Sequence, residues 1–247
     1  MLFDSHFHII DTHFPLVPNQ SYLPPSFTCE DYLRRTKALH IVGGAVVSAS
    51  FQAFDQSYLL AALKELGPSF VGVTQLRASA SDEEILELHA AGVRAVRFNL
   101  KRGGSAEHLE TFAKRVHEVA GWHIELYVDA EDLMGLSPTL LKLPAVSIDH
   151  LGLSKKGFPT LLALVEQGVK VKATGFGRVD FDVPAALKAI SKANPDALLF
   201  GTDLPSTRVS RPFLDEDVQT ILDTLGSALA HKVLYANAVH FYKPRRV

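Results

Sequence analysis

The chain has 247 residues, 47% of them hydrophobic and 21% charged, with a formal net charge of −2. That supplies a large core, and the near-neutral balance gives no electrostatic basis for a nucleic-acid or anionic-membrane partner. Cys29 is the only cysteine, which excludes an intrachain disulfide and a thiolate metal site and fits a reducing compartment.

Taken in chain order, the first element is a strand over Leu2–His8. Side chains alternate along a strand, so Asp4, His6 and His8 are expected to share a face and converge where the strand becomes a loop. These residues stand where a secretory signal would have a basic start and an apolar run. The most apolar stretch, Ile41 to Phe51, is broken by Gly43, Gly44, Ser48 and Ser50, so a cytoplasmic protein without a membrane partner is expected. Imidazole binds metals and titrates near neutrality, which makes the cluster a candidate reaction centre. The plainer reading is a pair of inert, hydrogen-bonded core histidines.

A long connection follows over residues 9–28, carrying Pro15, Pro18, Pro24 and Pro25. Loops of this length in compact domains tend to be functional, so it reads as a lid or specificity loop, or else as a stiffened surface excursion. Helical periodicity then covers Glu30–Leu39, Asp55–Leu66, Asp82–Ala91, Glu107–Val119, Glu131–Leu141, Phe158–Gln167, Val183–Ala193 and Leu214–Leu229. Between these lie apolar runs at Ile41–Ser48, Phe70–Gln75, Val93–Leu100, His123–Val128, Ala145–Ile148, Val169–Thr174 and Ala197–Thr202. Ser81-Asp82-Glu83-Glu84 caps a helix start, Pro184 fits a first turn, and Gly92 and Gly121 fall where helices end.

Near-continuous apolar strands alternating with helices predict an α/β fold with a parallel sheet. Eight such units in a chain of this length predict a single-domain (β/α)8 TIM barrel spanning residues 1–247. The rival is a doubly wound open sheet, which usually has a glycine-rich phosphate turn after its first strand. Here that strand ends His8-Ile9-Ile10-Asp11 instead.

Barrel active sites form at the C-terminal ends of the strands, where loop 9–28 would also lie. Those positions carry His6 and His8, then Arg97, Asn99, Tyr127 and Asp129. Asp149-His150-Leu151-Gly152 ends strand six, Lys172 and Thr174 lead to Gly175 and Arg178, and Gly201-Thr202-Asp203 precedes Arg208. Singly, each has a structural reading, such as a helix cap for Asp203 or a core position for Tyr127. Together they predict a catalytic rim. The other histidines, including His123 and His240, fall mostly on helices or loops and read as surface or structural.

The strand-one Asp-Ser-His-Phe-His, Asp149-His150-Leu151-Gly152 and Gly201-Thr202-Asp203 resemble the amidohydrolase superfamily. Tyr22-Leu23-Pro24-Pro25, Gly92 to Asn99, Lys172-Ala173-Thr174-Gly175 and Tyr235-Ala236-Asn237-Ala238 make the chain most similar to the branch of 2-pyrone-4,6-dicarboxylate and sugar lactonases. The resemblance implies a hydrolase that opens a lactone of a small carboxylated substrate. Asp203 would activate water, while His6, His8 and His150 would polarise the carbonyl. Arg97, Asn99, Tyr127, Arg178 and Arg208 would bind the substrate, since arginine suits carboxylates.

No metal is obligatory in that scheme. Metal-bound superfamily members supply a histidine or modified lysine from strands four and five, where this chain offers Asn99 and Tyr127. The metal alternative places zinc on His6, His8 and Asp203. The same resemblance admits a zinc-dependent decarboxylase of an unsaturated acid, and a non-catalytic barrel that binds a small acid is the remaining alternative.

Overall fold

The computed structural model describes residues 1–246. Among these, eight parallel strands follow one another around one sheet, each paired with the next in sequence. They are β1 (Leu2–Phe7), β2 (Ile41–Val47), β3 (Phe70–Thr74), β4 (Val93–Phe98), β5 (His123–Leu126), β6 (Val146–Ile148), β7 (Lys170–Ala173) and β8 (Leu198–Phe200). The expected barrel is therefore the fold.

Helices α1 (Cys29–Thr36), α2 (Ser57–Leu66), α3 (Asp82–Ala91), α4 (Leu109–Ala120), α5 (Leu133–Leu140), α6 (Phe158–Glu166), α7 (Val183–Ala193) and α8 (Glu216–His231) cover the outside. Their boundaries follow local chemistry. Ser81 accepts from the Glu84 N–H at the start of α3, Asp182 caps α7, and Gly92 and Gly121 end α3 and α4 with φ of 118° and 68°. Seven strands stop one or two residues short of their apolar runs, because the chain there bends into the turns that carry the site, while β6 ends with its run at Ile148. One element was not expected from the pattern. After α8, a turn of π-helix (Lys232–Ala236) leads into α9 (Asn237–Tyr242), and Asn237 Nδ2 donates to the Pro195 and Leu198 carbonyls.

Strand β1 departs from simple alternation. Its register against β2 shifts between Asp4 and Phe7. Phe7 stacks on Tyr32 of α1 at 3.8 Å, and Tyr32 Oη donates to Asp4. Asp4 thus faces the helical shell, while His6 and His8 face the barrel axis, so the expected convergence of all three fails. Asp4 joins the two end strands instead: its carboxylate accepts from the Thr202 N–H (2.8 Å) and Oγ1 (2.7 Å). Asp203 N–H to the His6 carbonyl (2.7 Å) and His8 N–H to the Leu204 carbonyl (2.8 Å) complete the closure.

The barrel interior is layered. At its N-terminal end Phe3, Ala45, Val47, Val71, Val73 and Leu199 form an apolar plug closed by Tyr242 and Ala238 of α9. Above it lie two buried carboxylates, Glu125 and Asp149, and two buried cations, Lys172 and Arg97. The histidines and Asp203 come next, at the mouth.

Candidate active site

Three imidazoles meet one carboxylate oxygen. Asp203 Oδ1 stands 3.9 Å from His6 Nε2, 3.8 Å from His8 Nε2 and 3.9 Å from His150 Nε2. Asp203 occupies a left-handed backbone position (φ 59°) just beyond β8 and receives a 2.6 Å hydrogen bond from Arg178 Nε on its other oxygen. That bond turns Oδ1 towards the imidazoles. Asp203 Oδ1 and His6 Nε2 have no hydrogen-bond partner among the described residues. Two buried polar atoms left bare and facing one another mark a place built for something else to bind.

The far side of each ring fixes what the near side offers. His8 Nδ1 lies 2.7 Å from the Val47 carbonyl. A carbonyl only accepts, so the proton of neutral His8 is on Nδ1 and its Nε2 presents a lone pair. His150 Nδ1 is 2.7 Å from Thr174 Oγ1. His6 Nδ1 lies between Lys172 Nζ at 3.2 Å and Asp149 Oδ1 at 3.5 Å.

Burial, reinforced by Lys172, pushes the His6 imidazole below its ordinary 6.5. Burial and neighbouring positive charge push His8 and His150 well below it. As pH falls through 6.5 the unfolded chain takes up protons that these folded imidazoles refuse, so stability declines. Asp4 opposes this, because burial raises its carboxyl to about 6 and the folded state gains that proton first. Three groups outweigh one. The urea midpoint is expected to fall between about pH 7.5 and about pH 5.5, and a flat or rising profile would contradict neutral buried imidazoles.

His8, Arg97, Asn99, Tyr127, His150, Arg178, Asp203 and Arg208 line one cavity at the mouth, with His6 directly behind. All nine expected site residues therefore gather there. Arg97 is more constrained than expected: Nε and Nη2 donate to Asp149 Oδ2 at 3.0 and 2.8 Å, and Nη1 donates to the Ser48 carbonyl at 2.9 Å. Arg102 also lines the cavity and had no expected role; its signal was an arginine in the turn directly after β4. Arg102 donates to Gln20, and Arg208 donates to Asn19 and stacks over Tyr22 at 4.5 Å. Both arginines thus tie the 9–28 segment to the rim.

Comparisons with known proteins bear on the family and the fold. Residues 3–243 match the amidohydrolase family model. The chain belongs to the amidohydrolase family. It is 27% identical to a 2-pyrone-4,6-dicarboxylate hydrolase of Comamonas testosteroni, over 99% of this chain and 90% of that protein. It is 26% identical to a D-galactarolactone isomerase of Agrobacterium fabrum, over 97% and 90% respectively. In fold it superimposes on an Agrobacterium tumefaciens crystal structure with a TM-score of 0.88 at 24% identity, covering 100% of this chain and 97% of that one. The resemblance read from the strand-end motifs therefore extends over the whole chain.

Within this amidohydrolase barrel, His6, His8 and Asp203 bring one ligand atom each within 4.8 Å of one another, as do His6, Asp149 and His150. Imidazole nitrogens and a carboxylate oxygen suit zinc, so these buried clusters can hold a divalent cation. Beyond β4 and β5 the chain places Asn99, with its Oδ1 unpartnered among the described residues, and Tyr127, whose ring lies 5.2 Å from both His150 and the Arg97 guanidinium. No helix among the described residues is long and apolar enough to cross a membrane.

Proposed function

We propose that this protein hydrolyses a lactone of a small carboxylated acid, such as a pyrone dicarboxylate or a sugar-acid lactone. The observation that carries the reading is the unpaired Asp203 Oδ1 facing three neutral imidazoles inside an arginine-lined cavity. A water bound at Oδ1 gives its proton to Asp203 as its oxygen attacks the ring carbonyl. Negative charge then develops on the carbonyl oxygen and is met by imidazole N–H donors. Collapse of the tetrahedral intermediate breaks the ring C–O bond, and the leaving oxygen takes the proton. His8 contributes as an acceptor, because its proton is committed to Val47. This departs from the expectation that all three histidines polarise the carbonyl. A divalent cation held by His6, His8 and Asp203 would lower the pKa of a bound water.

The anion clamp falls chiefly to Arg208, Arg102 and Arg178, with Tyr127 and Asn99 as hydrogen-bonding partners. Loop 9–28, attached through the first two, covers the substrate. Arg208→Ala should raise KM for a carboxylated lactone roughly 10- to 100-fold, the loss of a charged hydrogen bond, and change kcat little. An equal rise for a neutral lactone would remove the carboxylate role.

The isomerase relative supports a second reading, in which a hydroxyl of the substrate, rather than water, attacks the same carbonyl. A panel of carboxylated lactones incubated in ¹⁸O-water, with and without chelator, separates the two. Hydrolysis places label in the product carboxylate, isomerisation yields an unlabelled lactone, and an inert panel leaves neither reading standing.

A further inference from the structure

We infer that Lys172 is a positioning residue that fixes the proton of His6 on Nε2, making His6 a hydrogen-bond donor to the reacting carbonyl. Neutral imidazole has one N–H, and its position follows from what the other nitrogen meets. On the far side of His6 two groups compete. Asp149 could accept from an Nδ1–H and leave Nε2 bare, which is how metal-binding histidines are usually supported. The Lys172 ammonium can only donate, so it requires a bare Nδ1 and places the proton on Nε2.

The geometry favours the lysine. Lys172 Nζ lies 3.2 Å from Nδ1 and makes a hydrogen bond with it, whereas Asp149 Oδ1 is 3.5 Å away and hydrogen-bonded to nothing among the described residues. Asp149 is drawn aside by Arg97, which takes its other oxygen with two N–H groups. Lys172 is itself fully buried and held by Glu125, whose second oxygen accepts from Tyr242 Oη. Burial alone would raise the Glu125 carboxyl, yet the Lys172 charge keeps it low. The layer contains two cations and two carboxylates, so the ammonium is compensated in place.

His6 and His8 then present opposite polarity to the cavity. His8 offers a lone pair and His6 offers an N–H, so one accepts from the attacking water while the other meets the carbonyl oxygen. A cation bound at His6 would have to displace that proton, because a ligand nitrogen must be bare. The chemical consequence rests on the lactone reading, but the tautomer does not, and it is measurable without substrate.

The test is ¹⁵N NMR of the full-length protein labelled at histidine, with the His6 signals assigned by their loss in His6→Asn. The expected spectrum shows His6 protonated at Nε2 and His8 protonated at Nδ1. In Lys172→Met the His6 proton should move to Nδ1, facing Asp149, and zinc affinity by calorimetry should rise roughly 10- to 100-fold, as for other changes behind a ligand. Lys172→Met/Glu125→Gln, which removes the paired charges together, serves if the single variant does not fold. A native His6 carrying its proton on Nδ1, or a folded variant with the tautomer unchanged, overturns the inference whatever the lactone panel shows.

Discussion

Asp203→Asn is expected to lower kcat for lactone opening roughly 10²- to 10⁴-fold, the usual worth of a general base, while KM stays close to the parent value. The substitution is nearly isosteric, and an amide oxygen still accepts from Arg178, which is 2.6 Å from the present carboxylate. The backbone bond from Asp203 N–H to the His6 carbonyl is untouched. What disappears is a basic oxygen 3.8 to 3.9 Å from three imidazole nitrogens. Steady-state kinetics on the lactone identified by the panel, with a thermal melt to confirm folding, measures this. Turnover at the parent rate would show that another group takes the proton.

The largest effect on stability is expected one layer deeper. Asp149→Ala should cost about 3–5 kcal/mol, because it strips a buried carboxylate from a buried arginine. Arg97 is 5% exposed and spends two donors on Asp149, which is 0% exposed. Lys172 Nζ, 3.7 Å from the same carboxylate, also loses compensating charge. For comparison, Arg34→Ala removes exposed pairs on α1 and should cost no more than about 1 kcal/mol. Urea unfolding of the three proteins decides it, and a loss in Asp149→Ala no larger than in Arg34→Ala would contradict the buried-pair account. Arg97→Ala should likewise destabilise, an effect beyond the substrate binding expected of it from the sequence.

The barrel was legible because its strands are apolar on both faces and its helices carry their own caps and glycine stops. These signals act over a few residues, as at Ser81 and Gly92. The gathering of His6, His8, His150 and Asp203 was legible too, since strand ends in this fold share one rim. The rest depends on contacts that local pattern does not encode. A shift of register between Asp4 and Phe7 turns Asp4 outwards, and nothing in Asp-Ser-His-Phe-His announces it. Glu125 is the one carboxylate in β5 and Lys172 the fully buried one of two lysines in β7, and local pattern names no partner for either; they meet across the barrel, 47 residues apart. The same is true of Arg97 and Asp149. α9 was not legible because Asn237 and His240 interrupt the apolar pattern between Val233 and Tyr242, and no side-chain cap marks its start.

The closure between β1 and β8 has a bearing on how reactivity arises as the chain grows. Asp4 reaches Thr202 across 198 positions, and His6 depends on that same junction for its facing carboxylate. A ribosome must therefore extend the chain past Asp203 before His6 can meet its facing carboxylate. Separating the first strand from the last would part Asp4 from Thr202 and His6 from Asp203 in one stroke.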